Sequence, residues 1–398
     1  MPGRWRVLAL LFAVRTTMAF QFQTVDALGP LVRAEFGIGL ADLGLLIGLY
    51  LSPGIVLALP SGALGRRFGD KACVLTGLVL MTLGGLAMGL LPSWPTQIGG
   101  RLLAGFGGVM LNVMMAKMAA DWFSGREIAT AMGIYVNSWP FGIAIALIAM
   151  PFVGPVIGVR GAYLLAAGVT AAGALLLLAF YHAPAAAPAI QTASGAPTGR
   201  ALGAVLLAGL VWGLFNAAIS MVFSFGNSML VGRGWSLAEA GGTTGLALWL
   251  TVVSVPLGGI IADRTGRPAS VLVGGVLSFA LLLGIAARTD FVVPAFAALG
   301  LVGGLPAGVI MSLPVRVLSA QTRAVGMGIF WTMFYAIIVT APLFAGYLAA
   351  ATGDASTAFD LGIADLLLAC AAFAVFTLFS QRLRPDRVEI PDTQRLIS

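Results

Sequence analysis

The sequence predicts an all-α membrane protein of twelve transmembrane helices in two pseudo-symmetric six-helix bundles. Three observations predict it: the composition, a succession of long apolar runs, and an internal repeat. Of the 398 residues, 59 % are apolar and 9 % charged, whereas a soluble domain is about a quarter charged. So few charges cannot cover a water-facing surface, but a lipid-facing one needs almost none. Glycine is abundant, at 53 residues, as expected where helices approach closely in lipid.

A spanning helix needs about 20 apolar residues, and twelve such runs follow one another. The first, 7–28, begins behind Arg4, Trp5 and Arg6. It resembles a signal peptide, but Arg15 interrupts it and no small-residue cleavage site follows, so it reads as a retained span. The next are 43–63, 71–91 and 97–117. The last of these contains the run Gly105 to Gly108, which suits close packing and bending. Spans 128–151 and 161–181 complete the first bundle, 1–181, and His182 follows at its interface. Residues 182–200, rich in Ala and Pro and lacking acids, have linker chemistry. The second bundle, 201–398, holds spans 202–224, 238–261, 269–287, 293–314, 324–349 and 359–380, then a short tail. Pro140, Pro306, Pro314 and Pro342 mark expected kinks. Trp5, Trp94 and Trp235 stand at span ends as interfacial anchors.

Lys and Arg set the orientation. With the N-terminus inside, sixteen basic residues fall in cytoplasmic segments, including Arg4, Arg66, Arg67, Lys71, Lys117, Arg126, Arg264, Arg267, Arg323, Arg382, Arg384, Arg387 and Arg395. Four fall on the other side: Arg33, Arg160, Arg233 and Arg288. Both termini are therefore expected in the cytoplasm, in a multi-pass protein of a bacterial cytoplasmic membrane. The net charge of +7 follows from this bias, and nucleic-acid binding is not needed to explain it.

The halves repeat. LADLG at 40–44 returns as LAEAG at 237–241, and GALGRRFGDK at 62–71 returns as GIIADRTGRP at 259–268. The same shift carries Arg126 onto Arg323, and AMGIYVN at 131–137 echoes GMGIFWT at 326–332. Such repeats suit two bundles rocking about a central site.

These residues resemble the major facilitator superfamily, whose loop motif between helices 2 and 3 reads roughly G-x-x-x-D-R-x-G-R-R. The second half matches through Gly259, Asp263, Arg264, Gly266 and Arg267. The first matches through Gly62, Arg67, Gly69 and Lys71 and departs at Arg66 and Asp70. The resemblance implies the superfamily's fold and a gating role for Arg67, Asp263, Arg264 and Arg267, with the departure at Arg66 bearing on the first-half latch. RLLAGFGG at 101–108 is similar to the family's helix 4 pattern. Arg15 and the segment 121–144 also resemble the cyanate and nitroimidazole transporter branch and, distantly, nitrate/nitrite porters.

Charges within a bilayer are costly and usually functional. Arg15, Asp26 and Arg101 lie deep, whereas Asp365 is expected near enough to the outer surface to stay wet. Arg15 is about 12 Å into its helix. Asn112, Asn137, Trp212, Asn216, Trp331 and Tyr335 fall at comparable depth or on the same face. A guanidinium with five donors and no carboxylate at its level suits an anionic substrate, with bonding to helix carbonyls as the alternative. Asp26 and Arg101 are close in depth and are expected to pair, as an outer gate, a proton-coupling site or a structural ion pair.

A single His, and two cysteines, Cys73 and Cys370, in apolar surroundings give no metal cluster or disulfide framework. No phosphate loop is present, so no cofactor and no direct ATP drive are expected. The expected function is secondary active transport of a small anion or weak acid, with protons as a candidate coupling ion, by a monomer that is not an enzyme. The alternative is an exporter of drug-like or metabolite molecules with an apolar cavity.

Overall fold

In lipid every backbone N–H and C=O must find an internal partner, and the helix provides one for each. The computed structural model describes residues 3–38, 40–124, 127–183, 195–319 and 321–381, and they are almost entirely helical. The helices are α1 (Gly3–Ala27), α2 (Gly29–Phe36), α3 (Leu40–Gly48), α4 (Gly54–Phe68), α5 (Asp70–Leu90), α6 (Trp94–Phe123) and α7 (Ile128–Phe180). They continue as α8 (Gly199–Gly232), α9 (Leu237–Thr265), α10 (Pro268–Arg288), α11 (Val292–Gly303), α12 (Ala307–Val317), α13 (Arg323–Thr352) and α14 (Thr357–Gln381). Arg126, Arg382, Arg384, Arg387, Arg395, the side chain of Arg66 and linker residues 184–194 lie outside the described residues.

Among the described residues, eleven segments are long and apolar enough to cross a membrane. Two come from α7, as Ile128–Met150 and Phe152–Phe180. Near the start of the second the backbone turns at Gly158, whose φ of 71° only glycine adopts without strain. The expected span 43–63 is a departure: it is divided into α3 and α4 by a turn at 49–53. Pro53 has no N–H to continue a helix, and Tyr50, Leu51 and Gly54 donate instead to carbonyls three residues back, at 3.4, 3.2 and 3.0 Å. α11 and α12 together make one span, Val292–Val317. They part at 304–306, where the expected kink at Pro306 is found. Helix continues through Pro140, Pro314 and Pro342.

The periphery is apolar. Phe152, Val156 and Phe291 are 78 %, 83 % and 72 % exposed, a surface that water would penalise and lipid does not. Inside, α1 packs on α7 and α5 on α6, while α8 packs on α14 and α13. The N-terminal set, α1–α7, meets the C-terminal set, α8–α14, chiefly where α4 lies along α13 and α7 along α9 and α12. There the backbones touch. A Cβ added at Gly328 would stand 2.8 Å from the Ala58 carbonyl, and one at Gly259 or Gly308 2.5 Å from that of Ala129. These positions belong to the helix halves that end on the face carrying both Gly3 and Gln381, so the sets are closed against each other on that side.

Candidate functional site

A cavity of about 290 Å³ lies between the two sets, beginning where their contact ends and extending toward the face opposite the termini. Its walls come from α1, α6 and α7 on one side and α8, α9 and α13 on the other. Among the described residues, Arg15 is the only charged one on its lining. Proline chemistry fixes where Arg15 points. Pro140 cannot donate to the Val136 carbonyl four residues back, and Arg15 Nη1 donates to that carbonyl at 3.1 Å. Nη1 also donates to the Tyr135 carbonyl at 3.2 Å and the Ser138 hydroxyl at 3.0 Å. Nε donates to Asn112 Oδ1 at 2.9 Å. The guanidinium lies 4.7 Å from the Tyr135 ring centre and 5.8 Å from that of Trp139, within cation–π range. Nη2 makes no hydrogen bond to any described residue.

Asn112 carries the network across the cavity. Its Nδ2 donates to Tyr335 Oη at 3.1 Å, linking α1 through α6 to α13. The Tyr335 hydroxyl donates to no described residue. It and Arg15 Nη2 are therefore two uncommitted donors beside one cavity whose described lining residues include no carboxylate. The opposite wall is aromatic: Phe334 lies 5.1 Å from Trp331 and 6.1 Å from Trp212, centre to centre. Asn216 also lines the cavity and donates from Nδ2 to the Trp212 carbonyl at 2.8 Å.

The structure thus brings together Arg15, Asn112, Trp212, Asn216, Trp331 and Tyr335. Asn137 is a correction: it does not line the cavity. Its Nδ2 donates at 2.9 Å to the Val252 carbonyl of α9, which Pro256, four residues on, leaves without a helical partner. Asn137 ties the two sets together instead.

The expected Asp26–Arg101 pair is also corrected. Arg101 is held by carbonyls, with Nε on Leu46 at 3.0 Å, Nη1 on Gln21 at 3.3 Å and Nη2 on Phe22 at 2.8 Å. The Leu46 carbonyl is available because α3 ends there, and Tyr50 N bonds to Ile47 instead. The Tyr50 ring, 4.6 Å away, completes the enclosure. Asp26, exposed one turn further on, accepts from Gln23 Nε2 at 2.5 Å. Asp365 corrects the opposite way: it is buried, 7 % exposed, and Oδ2 has no partner.

The closed face has its own polar ties. Asp263 Oδ2 accepts from the Thr130 backbone N–H at 2.7 Å and hydroxyl at 2.6 Å, in the first turn of α7. The α7 N-cap, Glu127, makes no side-chain capping bond. Asp263 therefore caps that helix from the other set, a favourable place for an anion. In the first half the corresponding place is Arg66. There the acid that meets the start of α13 is Asp121 of α6, which pairs with the Arg323 side chain. Lys117 bridges Asp121 at 2.8 Å and Asp70 at 2.5 Å. Sequence reasoning missed Asp121 because it lies outside the loop motif; the acidic Asp70, where the motif has a base, was the available signal. Arg67, Arg264 and Arg267 are exposed. No group of three His, Cys, Asp or Glu among the described residues could hold a metal.

Comparisons with known proteins accord with this geometry. The model of the Major Facilitator Superfamily matches residues 11–241, more than half of the chain. The human choline/ethanolamine transporter FLVCR2 is 26 % identical over 155 residues, which is 38 % of this chain and 30 % of that protein, under a third of its length. The fucose:proton symporter FucP of E. coli covers 96 % of this chain and is itself covered over 100 %, with a TM-score of 0.74 at 17 % identity. The human organic anion transporter MFSD10 covers 94 % of this chain and is itself covered over 100 %, with a TM-score of 0.74 at 15 % identity. At these identities the likeness to the two solved structures is one of fold.

Proposed function

This chain belongs to the major facilitator superfamily, and on that premise we propose that it carries a small organic anion, bound with its charged end on Arg15. The observation that carries this reading is a cation facing a cavity with no carboxylate among its described lining residues. Arg15 donates through Nε and Nη1 to protein acceptors, and these hold the fork in place. Nη2 and the Tyr335 hydroxyl are left to meet carboxylate or similar oxygens, and a charge-assisted bond to a planar anion is what a guanidinium makes well. The aromatic wall of Trp212, Trp331 and Phe334 then covers an apolar body. The anion would be small, since a cavity of about 290 Å³ lies at the low end of ligand-pocket sizes.

Transport follows by alternating access. The two sets act as the bundles 1–181 and 201–398, rocking about the cavity. The state described is closed on the terminal face by the Asp263–Thr130 and Asp121–Arg323 ties. The bias of basic residues makes that face cytoplasmic, so the cavity faces outward.

The test is a thermal-shift screen of aliphatic and aromatic monocarboxylates, each beside the amide and the amine of the same skeleton, on wild type and Arg15→Gln. The proposal expects carboxylates to stabilise wild type and to lose that effect in R15Q. A second reading, an exporter of drug-like molecules or organic cations, has the aromatic wall in its favour. FLVCR2, a choline/ethanolamine transporter, is a relative in that direction. Amines that stabilise wild type while carboxylates do not would establish it and overturn the first.

A further inference from the structure

Among the described residues, Asp365 is a deep charge that neither the cavity, the closed face nor a carbonyl cage like that of Arg101 explains. It stands five residues beyond Asp360 on α14, about 7.5 Å further into the membrane. Asp360 marks the outer end, where it pairs with Arg288 of α10. Asp365 is buried, its Oδ2 is enclosed without a hydrogen bond, and no described residue pairs with it.

The surrounding charges are all engaged elsewhere or distant. α14 packs on α8, α10 and α13. On α8 the charged residue is Arg200, exposed at the far end. Arg233, just after α8, donates to the carbonyls of Ala286 and Ala287. On α10 it is Arg288, held by Asp360. On α13 it is Arg323, held by Asp121. The remaining titratable groups are Tyr335 in the cavity, Tyr347, 71 % exposed, and Cys370, more than one turn further along α14. None offers Asp365 a counter-charge. A carboxylate so placed carries the desolvation cost of a charge with nothing to offset it, whereas the neutral acid does not.

Its neighbourhood is the wall of the cavity. A Cβ at Gly362, one turn from Asp365 on α14, would lie 3.6 Å from Ala218 and Met221 of α8. The same stretch of α8 presents Asn216, Ile219 and Ser220 to the cavity. α8 therefore separates Asp365 from the substrate space, and any movement of α8 against α14 changes what surrounds the acid.

We propose that Asp365 is a proton-binding site that couples protonation to the position of α8 and α14. In the state described, with the terminal face closed, it holds its proton. Releasing that proton to water requires the α8–α14–α10 packing to open enough to hydrate the carboxylate. A proton therefore favours this state over one in which the acid is wet, and shifts the population accordingly. The inference rests on the transporter reading but not on the nature of the substrate.

The test needs no substrate. Cys73 and Cys370 are replaced, and spin labels are placed at Ile157 and Val231, exposed positions of the two sets near the face opposite the termini. Electron–electron distances are read in lipid nanodiscs from acid to alkaline pH. Wild type should shift its distance distribution as pH rises. Asp365→Asn, a neutral mimic of the acid, should hold the acid-pH distribution throughout. Asp365→Ser, smaller and also uncharged, is measured in parallel, so that poor folding of one variant does not remove the test. A carboxylic-acid stretch in the infrared spectrum of wild type, absent from both variants, is the companion result. A pH response in either variant equal to that of wild type overturns the proposal, as does a wild type with neither a pH response nor that band.

Discussion

Arg15 and Arg101 are both buried guanidiniums, 4 % and 1 % exposed, but their bonding separates their roles. All three nitrogens of Arg101 donate to carbonyls that join α6 to α1 and to the end of α3. Arg101→Gln should therefore lower unfolding stability by about 2 kcal/mol or more, measured by thermal or denaturant unfolding in detergent. Arg15 keeps Nη2 free, so Arg15→Gln should fold and lose anion binding. Arg15→Lys should recover part of that affinity, since it restores the charge but not the fork. Tyr335→Phe removes one uncommitted donor and should weaken anion affinity by a factor of about 2–10, for a bond of roughly 0.5–1.5 kcal/mol, read by titration calorimetry. Depth along a helix was legible in the sequence, and it set Arg15, Asn112, Trp212, Asn216, Trp331 and Tyr335 at one level, where they line one cavity. Rotation about the helix axis was not, which is why Asn137 turned out to face α9 and Asp365 to face inward. Depth also placed Asp26 beside Arg101 without revealing that carbonyls one turn nearer would bind the guanidinium first.

Where helices run on through it, proline acts by freeing carbonyls that other helices bind. Pro140 frees Val136 for Arg15, and Pro256 frees Val252 for Asn137. Pro140→Ala restores the helical N–H and competes for the Val136 carbonyl. It should leave stability unchanged or raise it while loosening the fork. The expected result is a several-fold weaker anion affinity without loss of thermal stability, read by thermal shift with and without the carboxylate. The prolines and the apolar runs were visible in the sequence, whereas the acceptors' partners come from other helices and were not. Element breaks were legible unevenly. Pro306 announced the parting of α11 from α12. The division of span 43–63 was missed because its residues are apolar throughout, and hydropathy does not register the three-residue turn bonds around Pro53. At the corresponding place in the repeat, α6 runs unbroken through Gly105 to Gly108, while its counterpart α11–α12 breaks. Pro306 accounts for that difference, having no counterpart in the glycine run.

At the scale of the molecule, two sets of helices are held together on one face by a few ties. Asp263 caps α7 across the divide, and Asp121 holds Arg323. Asp263→Asn with Arg323→Gln should weaken that closure and shift the population toward a form open on the terminal face. Longer distances between labels on α4 and α13 would report it, and unchanged distances would argue against a latch. The repeat in the sequence made the two-set arrangement readable, because its shift pairs whole helices. It also showed that the first loop motif lacks its acid, but not that Asp121 of α6 pairs with Arg323, since that partner comes from another helix. The central claim concerns what crosses between the sets. Its most direct measurement is equilibrium exchange of a labelled monocarboxylate across proteoliposomes, with the matching amide as control, for wild type and Arg15→Gln. Wild type should exchange the carboxylate saturably and ignore the amide, and R15Q should exchange neither. Exchange by R15Q at the wild-type rate and half-saturation would contradict the account.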